Sequence, residues 1–268
     1  MPLRGAKIAI VSVGINYRGQ AGELQGCVND SNNFLMYART HFGRNIHYSQ
    51  QLIDTLPESS PYYPTRTNIQ RALIRALKRC RQKGYTHFWF HYSGHGAQQR
   101  DRNRDERDRL DETLVPVDYQ RRGMITDDWL LRRIINRVPP RSLFFGLIDA
   151  CHSASMLDLR FHCNPINNTR IRSKVANRKA SMRPRAMMIS GCRDHRYSYD
   201  AWDSEYGPTG AMSVAFLRAL RQNRKATVAS IVRRMRADLR RRGYPQIPQL
   251  SCSRKLRGRE RIFGIGTL

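Results

Sequence analysis

Apolar residues recur along this chain in runs of strand length, separated by stretches with helical spacing. Residues 7–15 (KIAIVSVGI) form a continuous apolar run closed by Gly14, as expected of a strand buried on both faces. A Gly-rich loop follows to Gly26, and residues 27–40 have helical character, with Phe34, Leu35 and Tyr37 partly on one face. Residues 47–53 alternate like a second strand, and 59–64 are a loop rich in Pro, Tyr and Ser. Thr67 begins a helix carrying Ile69, Leu73, Ile74 and Leu77 at helical spacing. Residues 86–92 (THFWFHY) read as an aromatic strand ended by Ser93 and Gly94, followed by a long charged loop from Gly96 to about Arg109. Thr126 is a good cap for a helix over 127–137, and 142–148 (SLFFGLI) are an apolar run bounded by Pro139, Pro140 and Asp149. Further on, 186–190 and 248–253 read as strands, and 209–220 and 227–239 as amphipathic helices. The second of these helices places Ile231, Val232, Met235 and Leu239 on one face, with arginines opposite. The stretch 160–184 differs, with seven basic residues, no acids and little periodicity, and reads as a mobile linker or surface excursion. Strands alternating with helices predict an α/β fold: a mainly parallel sheet covered on both faces, with its site at the carboxyl ends of the strands.

Composition adds three things. At 268 residues and 40% apolar, the chain can bury a full core. Its charge of +27 suits contact with nucleic acid or an anionic surface, or marks a basic setting such as a nucleus or a virion, and says nothing of fold. Nine of its 21 acidic residues fall within 101–128, a cluster that invites a cation. None of the six cysteines forms a CxxC pair, which argues against structural zinc and for free thiols in a reduced compartment. With no signal peptide and no apolar run of membrane-spanning length, the expected setting is intracellular and cytoplasmic.

Two short segments carry chemistry. His95 lies in YSGHG after the aromatic strand, between glycines that let the backbone turn sharply; Cys151 lies in DACHS after the next apolar strand, 56 residues later. A lone Cys after an apolar strand is usually a core residue, and a lone His beside Gly a turn residue. Together, each just past a strand end, they suit a thiol nucleophile and its base. Backbone N–H groups of Gly96 and Cys151 are candidates for the oxyanion. His152 is a rival base, but adjacent residues on extended chain point apart, and His91 alternates with its strand.

At this point the chain resembles a metacaspase. The matching pieces occur in family order: GCVND (26–30), HYSGHG (91–96), DETLVPVDY (111–119), ITDD (125–128), DACHS (149–153), LDL (157–159), ISGCRD (189–194) and GAMS (210–213). The His–Cys spacing is near the roughly 50 residues of caspase-type peptidases. The resemblance implies a caspase-like three-layer sandwich in one domain. Residues 1–159 would be large-subunit-like, 160–184 a basic linker and 185–268 small-subunit-like. It implies a monomeric cysteine endopeptidase that cleaves protein or peptide substrates after Arg or Lys. Asp30 and Asp149 would floor the primary specificity pocket, Cys27 and Ser93 would line the cleft, and Ser198 and Asp200 would shape substrate contacts. A carboxylate pair suits a guanidinium bidentately, so Asp149 argues against cleavage after Asp.

The resemblance also implies calcium as activator, on Asp111, Asp127, Asp128 and Asp158. Calcium is hard and takes several carboxylate oxygens. The chain departs from the family in the loop RDRNRDERDRL, where interleaved arginines offer the carboxylates internal partners. The same loop half-matches a calcium-binding EF-hand loop, but Glu106 stands where that loop requires Gly. Lys174, Arg178 and Lys179 in the basic stretch are candidate self-cleavage points. The alternative function is a basic nucleic-acid or anionic-surface binder on a caspase-like scaffold, with little turnover.

Overall fold

Alternation within the apolar runs divides the core into two layers. A computed structural model describes residues 5–100, 110–151, 156–191, 200–223 and 226–262. The chain runs β1 (Ile8–Gly14), α1 (Cys27–Phe42), β2 (Ile46–Ile53), α2 (Arg66–Lys83), β3 (His87–Ser93), β4 (Gly96–Arg100), β5 (Leu110–Leu114), α3 (Tyr119–Arg122), β6 (Ile125–Thr126), α4 (Asp127–Arg133) and β7 (Leu143–Asp149). It continues with β8 (Phe161–Pro165), β9 (Ile171–Val175), β10 (Arg185–Ser190), β11 (Asp200–Asp203), β12 (Gly207–Gly210), α5 (Ala211–Gln222), α6 (Val228–Arg241) and β13 (Gln249–Cys252).

Eight strands make the central sheet in the order β2-β1-β3-β7-β10-β13-β8-β9. The first five are parallel and the last three antiparallel. Every residue of β1, β3 and β7 is buried, as both-face coverage requires. Ala9, Val11, Val13, Phe88, Phe90 and Phe144 point into one layer, with Ile69 and Leu73 of α2 and Leu130 of α4. Their neighbours Ile8, Ile10, Trp89, Phe145 and Leu147 point the other way, into Phe34 of α1, Phe216 of α5 and Ile231 and Met235 of α6. Period 2 along each strand thus assigns α2 and α4 to one face and α1, α5 and α6 to the other. Threonines cap three of the helices: Thr65 accepts from Asn68 N, Thr126 from Trp129 N and Thr227 from Ser230 N, at 3.1–3.2 Å.

Four expectations are corrected. The stretch after His95 opens as β4, not loop, because residues 96–100 pair with β5 in a small three-stranded sheet with β6. The basic stretch 160–184 contains the hairpin β8–β9, which completes the central sheet: Phe161 and Cys163 pack inward, whereas β9 is an edge strand with weak burial and no apolar period to reveal it. The antiparallel β8–β13 pairing joins Cys163 and Cys252 as a disulfide, so the expectation of free thiols fails for that pair. Cys27, Cys80 and Cys151 are thiols. The helix expected over 127–137 is α4 followed by a 3-10 turn at Ile135–Arg137.

Candidate active site

Register builds the site. Gly14 of β1 lies opposite Ser93 of β3, and Ser93 opposite Asp149 of β7. His95 and Cys151 each follow two residues after the aligned pair, so the same offset carries both past the same edge of the sheet. The two turns touch: Gly94 N donates to Asp149 O at 3.3 Å, and a Cβ on Gly96 would fall 2.0 Å from the Cys151 carbonyl oxygen. Only glycine permits that approach. Cys151 is half-buried.

His95 is fixed from several sides. Its backbone N–H donates to Tyr17 Oη at 2.9 Å, and its carbonyl accepts from Tyr92 Oη at 2.8 Å and Val115 N at 3.2 Å. Tyr17 Oη in turn donates to Val115 O at 2.6 Å, and the two rings of Tyr17 and His95 lie 4.5 Å apart. Burial lifts both phenols well above the ordinary range, so they serve as neutral hydrogen-bonding struts. Tyr17 itself sits at φ +55°, a strained position for a bulky residue, held because Asp54 accepts from its N–H at 2.6 Å and from Asn16 N at 3.0 Å. On the imidazole, Nε2 lies 2.5 Å from Gly22 O. A carbonyl only accepts, so Nε2 carries the proton and Nδ1 is the nitrogen that can take one.

The carboxylates Asp30 and Asp149 are both 1% exposed and meet around Gly210. A Cβ there would lie 2.4 Å from Asp149 Oδ2 and 2.7 Å from Asp30 Oδ2. Asp30, in the first turn of α1, accepts from Ser93 Oγ at 2.6 Å, from Gly210 N at 3.0 Å and from Thr209 Oγ1. Asp149 Oδ2 accepts from Ser213 N at 2.9 Å and Ser213 Oγ at 2.8 Å, at the start of α5. Desolvation, then the charge of Asp149, raise Asp30 to about 7 against these donors.

The structure therefore brings His95, Gly96, Cys151, Ser93, Asp30 and Asp149 to one place. Asp200 pairs with Gly210 across the hairpin β11–β12. Cys27 begins α1, buried in the α2-side core. Ser198, His152, Cys192 and the arginine-rich residues 101–109 lie outside the described residues. His91 is excluded as a base: it is buried against Phe34, bonded to Ser12 Oγ at 3.0 Å, and burial lowers it to about 3. Tyr17, Gly22, Thr209, Gly210 and Ser213 complete the site, and no spacing in the sequence links them to His95 or Cys151.

Asp111, Asp127 and Asp128 gather where β5, β6 and α4 join, and Asp158 follows β7 at φ +46°. Asp127 accepts from Glu112 N at 2.8 Å and Asp128 N at 2.6 Å, and burial lifts it to about 9. Asp128 receives Arg132 Nη2 on both oxygens at 3.0 Å. Among the described residues no three His, Cys, Asp or Glu side chains come close enough to share a metal ion. Asp127 thus faces backbone N–H groups and Asp128 faces Arg132.

A family model, "Metacaspase, peptidase C14 domain", matches residues 8–160. Metacaspase-1 of Kluyveromyces lactis is 31% identical over 289 residues, covering 91% of this chain and 65% of that protein. Metacaspase-1 of Ajellomyces capsulatus is 32% identical, covering 91% and 79%, and Metacaspase-1 of Arabidopsis thaliana 34% identical, covering 89% and 66%. The chain thus spans about two thirds of the length of the first and last of these relatives. Among solved structures, a Geobacter sulfurreducens protein superposes with TM-score 0.64 at 21% identity, over 97% of this chain and 99% of that one. Pro-sf-caspase-1 superposes with TM-score 0.51 at 9% identity, over 92% and 91%, so the fold is caspase-like. By the family model and the relatives together, the chain belongs to the metacaspase family, peptidase C14.

Proposed function

We propose that this chain is an endopeptidase that cleaves protein substrates after Arg or Lys. The observation that carries this reading is the pair of buried carboxylates, Asp30 and Asp149, meeting at Gly210 beside the Cys151 turn. A guanidinium or ammonium entering there relieves their mutual repulsion and gains charge-assisted hydrogen bonds. An acidic side chain would add a third buried negative charge.

In the chemistry proposed, the Cys151 thiol passes its proton to His95 Nδ1 and the thiolate attacks the scissile carbonyl. Backbone N–H groups at Gly96 and Cys151 receive the oxyanion. His95 then gives its proton to the departing amine, leaving a thioester on Cys151. Water, deprotonated by His95, hydrolyses that ester and restores the thiol. The Gly22 carbonyl holds the Nε2 proton throughout, which keeps Nδ1 as the working nitrogen. A fluorogenic peptide ending in Arg tests the reading: hydrolysis by wild type and none by Cys151→Ala supports it. Equal hydrolysis of an Asp-ending peptide overturns the specificity.

Calcium activation is proposed on the acidic corner of Asp111, Asp127 and Asp128, with Asp158 nearby in sequence to Cys151. Its binding requires Asp128 to leave Arg132, an exposed i,i+4 pair of about 0.3–0.5 kcal/mol. Equal rates and equal melting temperatures in EDTA and in millimolar calcium would overturn it. Self-processing is proposed at Arg178 or Lys179, which are exposed in the turn after β9, whereas Lys174, though exposed, lies within the edge strand β9 with its backbone paired to His162. If Cys151→Ala and wild type remain equally intact on a gel, with and without calcium, self-processing is excluded.

A further inference from the structure

One end of the central sheet carries no acid. Positions 160–184 and 239–258, which include β8, β9 and β13, hold no Asp or Glu, and the first stretch holds seven cations. β9 is the last strand of the sheet: β8 lies on one side of it and no strand on the other. We infer that the free edge of β9 takes up an extended segment of another protein as a further strand, one in which acidic residues alternate with apolar ones. The inference does not depend on the peptidase reading above.

The phase of the hairpin shows which groups are open. At its closed end Ile166 N donates to Arg170 O at 2.9 Å, and at its other end Ala176 N donates to Arg160 O at 2.9 Å. Bonded and non-bonded positions alternate along an antiparallel pair, so both ends assign the even-numbered residues of β9 to bonds with β8. Ile171, Ser173 and Val175 therefore turn their N–H and C=O groups outward. Among the described residues, no loop or side chain bonds to those groups. They form a row of rungs that a second backbone matches.

The two faces of β9 choose the side chains of that backbone. Phe161 and Cys163 of β8 point into the α6-side core; Val175 and Ser173 lie opposite them, and Ile171 packs on the same core. Arg172 and Lys174 lie opposite Asn164 and His162, on the other face. Among the described residues the α2-side core takes in nothing from β8, β9 or β13, so Arg172, Lys174 and Asn164 stand exposed on an uncovered face. An added strand thus meets two cations on one face and Ile171 and the exposed Val175 on the other. Side chains directly across a ladder interact, which matches acids to the first face and apolar residues to the second.

Charge also selects among occupants. Lys and Arg on an edge keep out strands of like charge, and a second copy of this chain carries +27. The same charges draw in an acidic strand. Nucleic acid is the other polyanion such charge suits, yet the uncovered face of β8, β9 and β13 shows no Phe, Tyr or Trp on which bases stack. The outward rungs of β9 also fit a peptide backbone and not a sugar–phosphate one.

Fluorescence anisotropy of a labelled peptide alternating Glu and Val tests this at physiological salt. A peptide with the same residues in block order and a thymidine oligonucleotide are the comparisons. The alternating peptide is expected to bind, and the block peptide to bind about tenfold more weakly or less. Arg172→Glu/Lys174→Glu should weaken the alternating peptide about tenfold, since two attractions become two repulsions. Ser173→Pro removes an outward N–H without touching the bonds to β8, and should weaken it comparably. N-methylation of the peptide's Val residues removes rungs from the other side and should abolish binding even if Ser173→Pro fails to fold. Equal binding of the alternating and block peptides, or binding that the charge reversal or the N-methylation leaves unchanged, would overturn the inference. Tighter binding of the oligonucleotide than of the alternating peptide, lost in Arg172→Glu/Lys174→Glu, would overturn it in favour of nucleic acid.

Discussion

Asp30 stands in a first helical turn, where an acid is favourable, yet its carboxyl is raised to about 7 by burial and by Asp149. Between the ordinary value of 3.8 and about 7, the folded chain keeps a proton that the unfolded chain has lost. Its contribution to stability is therefore full below 3.8 and lost as pH rises through about 7, at up to about 1.4 kcal/mol per pH unit. Asp127, lifted to about 9, extends the decline at higher pH. Melting temperature measured from pH 5 to 8 should fall, and Asp30→Asn should flatten the part below 7 while raising KM for an Arg peptide at least tenfold. A lower melting temperature for Asp30→Asn at pH 8 would mean that Ser93, Thr209 and Gly210 already satisfy the charge. A companion test concerns Gly210, whose added methyl would strike both carboxylates: Gly210→Ala should lose at least a hundredfold in kcat/KM on Arg peptides, with Cys151 still alkylated by iodoacetamide. His95 and Cys151 were legible in the sequence because glycines and strand ends frame them. Asp30 and Asp149 were legible only through the family motifs, and Gly210 and Ser213 as motif members without a role. Their role depends on α5 meeting β7, a contact that no local pattern encodes.

The same division holds for elements. β1, β3 and β7 were readable because full burial makes them continuously apolar, and α2 and α6 because one face of each is apolar. The hairpins β4–β5, β8–β9 and β11–β12 were not, because short strands with interspersed polar residues owe their structure to a partner strand. Yet β11–β12 is what delivers Gly210 to the carboxylates. Its turn is held by Asp203, 5% exposed, which accepts from Glu205 N at 3.0 Å and Tyr206 N at 3.2 Å and pairs with Arg218 of α5. Those donors, with Arg218, hold Asp203 below the usual carboxylate range despite the opposing effect of burial. Asp203→Ala leaves two turn N–H groups and a half-buried guanidinium short of an acceptor, a loss of about 1–3 kcal/mol. A thermal melt should register that loss, and KM for Arg peptides should rise more than kcat falls, since the hairpin positions the pocket and not the nucleophile. A fall confined to kcat would show that the hairpin does not shape the pocket.

At the scale of the whole molecule, an acidic pocket for a cationic side chain is set in a chain of charge +27. The two act over different distances. Contacts at Asp30 and Asp149 are buried and close, and salt screens them little. The net charge acts across the solvent, repels an approaching cationic peptide and is screened within about 8 Å at physiological ionic strength. Among the described residues from 160 to 262, Asp203, Asp238 and Glu260 are buried and internally bonded, Asp203 to Arg218, Asp238 to Arg241 at 2.7 Å and Glu260 to the N–H groups of Arg257 and Gly258 at 2.6 Å, and the exposed Glu205 pairs with Arg221. Arg172, Lys174, Arg178 and Lys179 on the β9 side are exposed, so little negative charge offsets them there. Raising sodium chloride from about 20 to 150 mM should therefore increase kcat/KM for a peptide carrying several Arg or Lys residues, through faster association, while kcat changes little. A peptide with a single Arg and flanking Glu should show the opposite slope. If both peptides lose activity in parallel as salt rises, the pocket contacts are themselves exposed and screened, and the burial of Asp30 and Asp149 does not govern recognition.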